Sequence, residues 1–168
     1  MTGTLTTTGE RADLLETLAK HRFFLRGTTR GLTDEQAGSH PTVSALSLGG
    51  LIKHVAATEA SWSRFIVGGA TLMEDGAIPW EEQHRMMPGE TLAGLLDAYE
   101  EVARTTDELV ATLPDLDVAH PLPVAPWFEA GKSWSARRVL LHLIAETSQH
   151  AGHADILRES IDGQKSMG

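Results

Sequence analysis

The sequence predicts an all-α fold, a four-helix bundle with two long connecting loops, and three observations carry that expectation. Apolar residues recur at helical spacing in four separate segments. The last of these spans 29 residues, which at about 1.5 Å per residue is roughly 43 Å, the length of a helix running a bundle from edge to edge. No segment alternates with period two and no internal repeat is visible, so strands are at most incidental.

The first helix is expected from about Glu10 to Gly31, with Leu14, Leu15, Leu18 and Leu25 on its apolar side and Phe23 and Phe24 nearby. Residues before it are Thr- and Gly-rich and read as a frayed start. Gly31 is a natural stop, Thr33 to Gln36 has the pattern of a short capped turn, and the Ser, Pro and Gly between Gly38 and Leu46 mark a loop. Ser47 is the expected N-cap of a second helix from Leu48 to Gly68, whose stripe is Leu51, Val55, Trp62 and Phe65, broadened by Ile52 and Ile66. His54 and Thr58 fall inside that stripe. A third helix is expected from Thr91 to Leu113, burying Leu92, Leu95, Leu96, Tyr99, Val102, Leu109 and Val110 and ended by Pro114. The fourth is expected from Trp134 to Asp162, capped by Ser133 and stopped by Gly163.

Two connections remain, Gly69 to Glu90 and Pro114 to Lys132, of 22 and 19 residues. Loops longer than about 12–15 residues are uncommon in compact domains and often form lids or binding loops. Both carry aromatics, Trp80 in the first and Trp127 and Phe128 in the second. They read either as the wall of a pocket or as covers packed over the bundle's end.

The 168 residues suit one domain, and 41% hydrophobic with 22% charged residues is ordinary globular usage. Lys and Arg number 14 against 23 Asp and Glu, a formal charge of −9, which argues against sequence-independent binding of nucleic acid. No apolar run approaches the ~20 residues of a membrane span, and no secretory signal is read at the start, so a cytoplasmic protein is expected. The chain has 8 His and no Cys. Disulfides, thiolate-held zinc, iron–sulfur centres and a cysteine nucleophile are thereby excluded. A metal must be held by His and carboxylate, and thiol chemistry must use a thiol from outside.

Chemistry concentrates in the last helix. At about 100° per residue, His142, Glu146, His150 and His153 project within a sector of about 80°, on the same broad side as Val139 and Leu157. Ionisable groups facing a core are paired, neutralised or bound to a metal, since an isolated buried charge is costly. Glu146 and His150, at i and i+4, can place an oxygen and a nitrogen on one ion, with His54 as a third donor from across the core. Two His and one Glu with an open position is the donor set of catalytic zinc and is close to that of non-haem iron. The same residues also read as a core histidine and an i, i+4 pair hydrogen-bonded without any ion. On residue types alone the two readings stand level. Arg158 is a candidate for binding a carboxylate of a cofactor or substrate, against a salt bridge to Asp155, Glu159 or an acid of the first helix. Asp155 is a candidate for orienting a ligand histidine. Trp62 and Trp134 read as packing residues, and His21, His40, His84 and His120 carry no assignment.

The segments SLGGLIKHVAATEASW (47–62) and HLIAETSQHAGHADILRESIDG (142–163) resemble the DinB-like superfamily of metal-binding four-helix bundles. The branch most similar is that of the mycothiol-dependent S-transferases, with mycothiol-dependent maleylpyruvate isomerase more distant. The resemblance implies His54, Glu146 and His150 as metal ligands. It places His153 where many relatives have Gln, hence at the pocket rim with His142, although a histidine there is also able to stand in for Glu146. It further implies a divalent metal, zinc first and nickel or iron next, and a low-molecular-weight thiol such as mycothiol. The implied activity is transfer of that thiol to an electrophilic small molecule. A thiol-dependent isomerase and a non-enzymatic metal-binding bundle are the alternatives, and a homodimer is compatible with the long helices.

Overall fold

The computed structural model describes residues 8–166. The expected frayed start therefore lies almost wholly outside the described residues. Four long helices form the bundle: α1 (Glu10–Gly27), α3 (Leu48–Glu74), α4 (Leu92–Thr112) and α5 (Ala136–Asp162), with a short α2 (Asp34–Gly38) between the first two. α1 lies along α5, and α3 packs against both α4 and α5, while α1 and α4 touch only lightly. This is the helical bundle that the periodicity predicts, and it is consistent with the DinB-like fold that the resemblance implies.

Local sequence explains most of the boundaries. Thr33 and Gln36 form a reciprocal capping box at the start of α2. Ser47 Oγ accepts from Gly50 N at the start of α3, and Thr91 Oγ1 accepts from Gly94 N at the start of α4. Gly163, in the left-handed region at φ 78°, closes α5.

Three boundaries differ from expectation. α1 ends at Gly27 rather than Gly31, because the chain turns through Thr28 and Thr29, whose hydroxyls bond back to Leu25 O and Arg26 O. α3 does not stop at Gly68. It breaks across Gly68 and Gly69, where Gly69 takes φ 72°, and resumes helical geometry to Glu74. The first long connection is correspondingly shorter, 75–91. α5 begins at Ala136 and is capped by Ser135, not Ser133, because residues 133–135 form a strand (β2) antiparallel to Ala119–Pro121 (β1). His120 of β1 sits at the break in α3, its Nε2 hydrogen-bonded with Ile66 O and its ring against Gly69.

The core is divided in two. One apolar cluster includes Leu18, Trp62, Phe65, Val110, Val139, Leu140 and Leu143, and the other includes Leu25, Leu51, Ile52, Val55, Tyr99, Ala154 and Leu157. Each buried Leu or Phe contributes about 1.5–3 kcal/mol. Polar groups lie between the clusters. Glu59, fully buried, takes both Arg22 Nε and Nη2, at 3.1 and 2.5 Å, and Arg22 Nη1 reaches Asp107 at 2.9 Å. Ser63 and Thr106 hydroxyls bond to each other at 2.9 Å. A buried charge of this kind is tolerated only with its partners in place. Among the described residues, no helix is long and apolar enough to cross a membrane.

Candidate metal centre

Helical geometry brings Glu146 and His150 together, one turn apart on α5, and α3 packs across from them with His54 on its buried stripe. His54 Nε2 and His150 Nε2 both approach the same oxygen, Glu146 Oε1, at 3.3 and 3.2 Å. The two imidazoles meet edge to face, with ring centroids 4.9 Å apart. One donor atom from each residue lies within 4.8 Å of the others, the grouping expected of a metal site.

The donors fit an ion on two grounds. A tetrahedral ion with bonds of about 2.0–2.2 Å to N and O separates its donor atoms by about 3.3–3.6 Å, and the two spacings to Glu146 Oε1 already fall within about 0.1 Å of that range. One carboxylate and two imidazoles also supply the borderline donors that zinc, nickel and ferrous iron accept. The hydrogen bonds from His150 and then His54 hold the Glu146 carboxyl far below the ordinary carboxylate range, against the opposing effect of burial. The site thus presents a fixed negative charge at neutral pH.

The residues around the cluster divide clearly. His153 Nδ1 lies 3.3 Å from His150 Nδ1, on the side of that ring facing away from Glu146. It is thus placed to orient His150 and stands outside the three-residue group. His142, one turn before Glu146, is held edge-on to Trp62 and Trp134, which stack on each other at 4.8 Å. Burial holds its pKa below the ordinary histidine value, despite the nearby Glu146 charge. Phe128 closes this aromatic group from the second connection. Arg138 lies over the Trp134 ring at 4.1 Å.

Arg158 and Asp155 do not join the site, contrary to expectation. Arg158 is buried against the end of α1, donating to Thr28 O and Arg30 O at 2.8 Å each, to Asp162 at 2.9 Å and to Gln164 at 2.6 Å. It ties α1 to the end of α5, and its acid partner is Asp162 rather than Asp155, Glu159 or a residue of α1. Asp155 Oδ1 accepts from the Ser166 backbone at 2.6 Å.

One neighbour was not anticipated. His84, from the first long connection, stacks on His54 with centroids 4.1 Å apart and planes 24° from parallel. Trp80 stands edge-on to both rings. Burial, reinforced by the adjacent His54 and His150, lowers the His84 pKa. The only hint in the sequence is the spacing of Trp80 and His84, four residues apart in a segment that carries no helical pattern.

The fold and this cluster together define a DinB-like helical bundle whose facing helices carry two histidines and a glutamate able to coordinate a divalent metal. More narrowly, the family model of the mycothiol-S-transferases (MST) matches residues 13–163, and the chain belongs to that family. No curated protein matches the chain significantly.

Proposed function

We propose that the protein is a metal-dependent transferase that activates a low-molecular-weight thiol, mycothiol or one of similar build, for transfer to an electrophilic small molecule. His54, Glu146 and His150 would hold the ion, zinc first and nickel or iron next. The observation that supports this most is the convergence of three donor atoms from two facing helices in a chain of the mycothiol-S-transferase family. When bound, a divalent ion supplies a Lewis acid beside which a thiol loses its proton at neutral pH.

The chain's own groups do the rest. Glu146 is the one carboxylate of the group, so that with a divalent ion bound the centre would keep net positive charge toward an incoming anion. His153 fixes the orientation of His150 through the Nδ1 contact. His142, half-buried and with its pKa lowered by burial, offers the aromatic wall a polar edge beside Glu146. With no cysteine in the chain, no protein thiol competes as nucleophile. Trp80, 72% exposed and edge-on to the His54 ring, carries apolar surface beside the cluster on which a small electrophile could rest. The function rests on small molecules alone, in the cytoplasm, with neither nucleic acid nor membrane as partner.

The test is a conjugation assay on metal-loaded protein with a bimane electrophile and a panel of thiols that includes mycothiol. One thiol should be transferred well above the uncatalysed rate, and His150→Ala should return the rate to background. A metal-loaded wild type that accelerates none of the thiols contradicts the proposal.

A further inference from the structure

The two histidines of the cluster are held in different ways. A metal-ligating imidazole almost always donates its second nitrogen to a carboxylate, carbonyl or water, and this bond fixes the ring. His150 has such a partner in His153. Among the described residues His54 has none: its Nδ1 is buried and meets no hydrogen-bond partner. On its Nδ1 side the His54 ring therefore lacks the bond that would complete its hold beyond Glu146 and His150.

The first long connection supplies the constraint. Its residues 80–90 cross the start of α3 and lay His84 flat on the His54 ring, with Trp80 against the edges of both. The crossing is tight. A Cβ on Gly50 would collide with the His84 carbonyl, and one on Gly49 would collide with the Met86 side chain. Gly50 therefore acts as a seat for the backbone that carries His84, and Gly49 leaves room for the Met86 side chain two residues on. The far end of the strap is tied to the residue beside His54: Lys53 Nζ donates to Glu90 Oε1 at 2.7 Å, and Glu90 Oε2 accepts from Met87 N at 2.7 Å. Lys53 is itself buried, which makes the tie rigid.

We infer that His84 is a positioning residue of the metal centre, which fixes the His54 imidazole by stacking where a hydrogen bond is missing, and that the strap seated on Gly49 and Gly50 exists in part to deliver it. The inference rests on the proposed metal site. It concerns the face of the His84 ring and not its nitrogens, and this separates it from a role as a further ligand.

The experiment measures zinc affinity by competition with a chromophoric chelator, and the visible spectrum of the cobalt-loaded protein, for wild type, His84→Ala and His84→Phe. Unfolding of the metal-free proteins is followed in parallel. His84→Ala should weaken zinc binding about tenfold, the lower end of what loss of an orienting neighbour costs, and should alter the cobalt bands. His84→Phe keeps a flat ring and should restore both. Metal-free unfolding midpoints should stay together, since His84 is only partly buried in a connection. Equal affinity in wild type and His84→Ala overturns the inference while leaving the metal site standing. A His84→Phe variant as weak as His84→Ala also overturns it, since the nitrogens would then be what matters. A wild type that takes up neither metal sinks the site and this inference with it.

Discussion

Tyr99 is the chain's one tyrosine, and its hydroxyl is buried between α4 and its neighbours, with Thr147 beside it but no hydrogen bond of full geometry among the described residues. Burial, and then the charge of Glu59, pushes its pKa above the ordinary value of 10.0, against the nearby cations Arg22 and Arg26. Below about pH 10 the phenol is neutral in both states and costs nothing; above it the unfolded chain ionises while the folded one resists, so stability falls as pH rises. Tyr99→Phe should therefore flatten the alkaline fall in unfolding midpoint. At neutral pH it should change stability little, because at most a weak contact with the Thr147 side chain is lost. Tyrosinate absorbance of the folded wild type reads this group alone and should appear only well above pH 10. A normal titration with an unchanged alkaline fall in Tyr99→Phe would contradict the burial argument. The Arg22–Glu59–Asp107 group beside it shows the opposite solution at the same scale: a buried charge kept because each guanidinium nitrogen of Arg22 has a carboxylate acceptor.

At the scale of elements, the four helices were legible because their apolar faces repeat over many turns, and a repeat averages out local error. Ends depend on one or two residues and are less secure. Ser133 and Ser135 are both good N-cap residues, two positions apart, and propensity cannot separate them. Pairing with Ala119–Pro121 decides the matter, since it draws residues 133–135 into a strand and leaves Ser135 to accept from Arg138 N. Ser135→Ala should therefore destabilise the protein by about 1 kcal/mol in urea unfolding, and Ser133→Ala by much less. Equal losses would return the cap to the position the sequence favours. The break in α3 was hidden for a related reason: two adjacent glycines read as an end, whereas His120 packing against Gly69 lets the chain kink and continue.

Across the whole molecule, legibility follows the distance over which each residue is positioned. Glu146 and His150 share a face by helix geometry alone, and His54 lies on a stripe that any bundle turns inward, so their meeting could be expected from spacing. His84 reaches the same place through a connection whose path is set by contacts with Gly49, Gly50 and Lys53, and no periodicity reports such contacts. Arg158 fails in the other direction. Its angle on the helix wheel permits a role near His150, but it lies two turns further along α5, where the end of α1 offers its donors two carbonyls. Everything proposed for the site depends on a single ion held by His54, Glu146 and His150. The direct measurement is metal content per chain by elemental analysis after exposure to zinc, nickel or ferrous iron, for wild type and for His54→Ala, Glu146→Ala and His150→Ala. About one ion per wild-type chain is expected, with loss in each variant while helical circular dichroism is retained. Full occupancy in the variants, or an empty wild type, would contradict it.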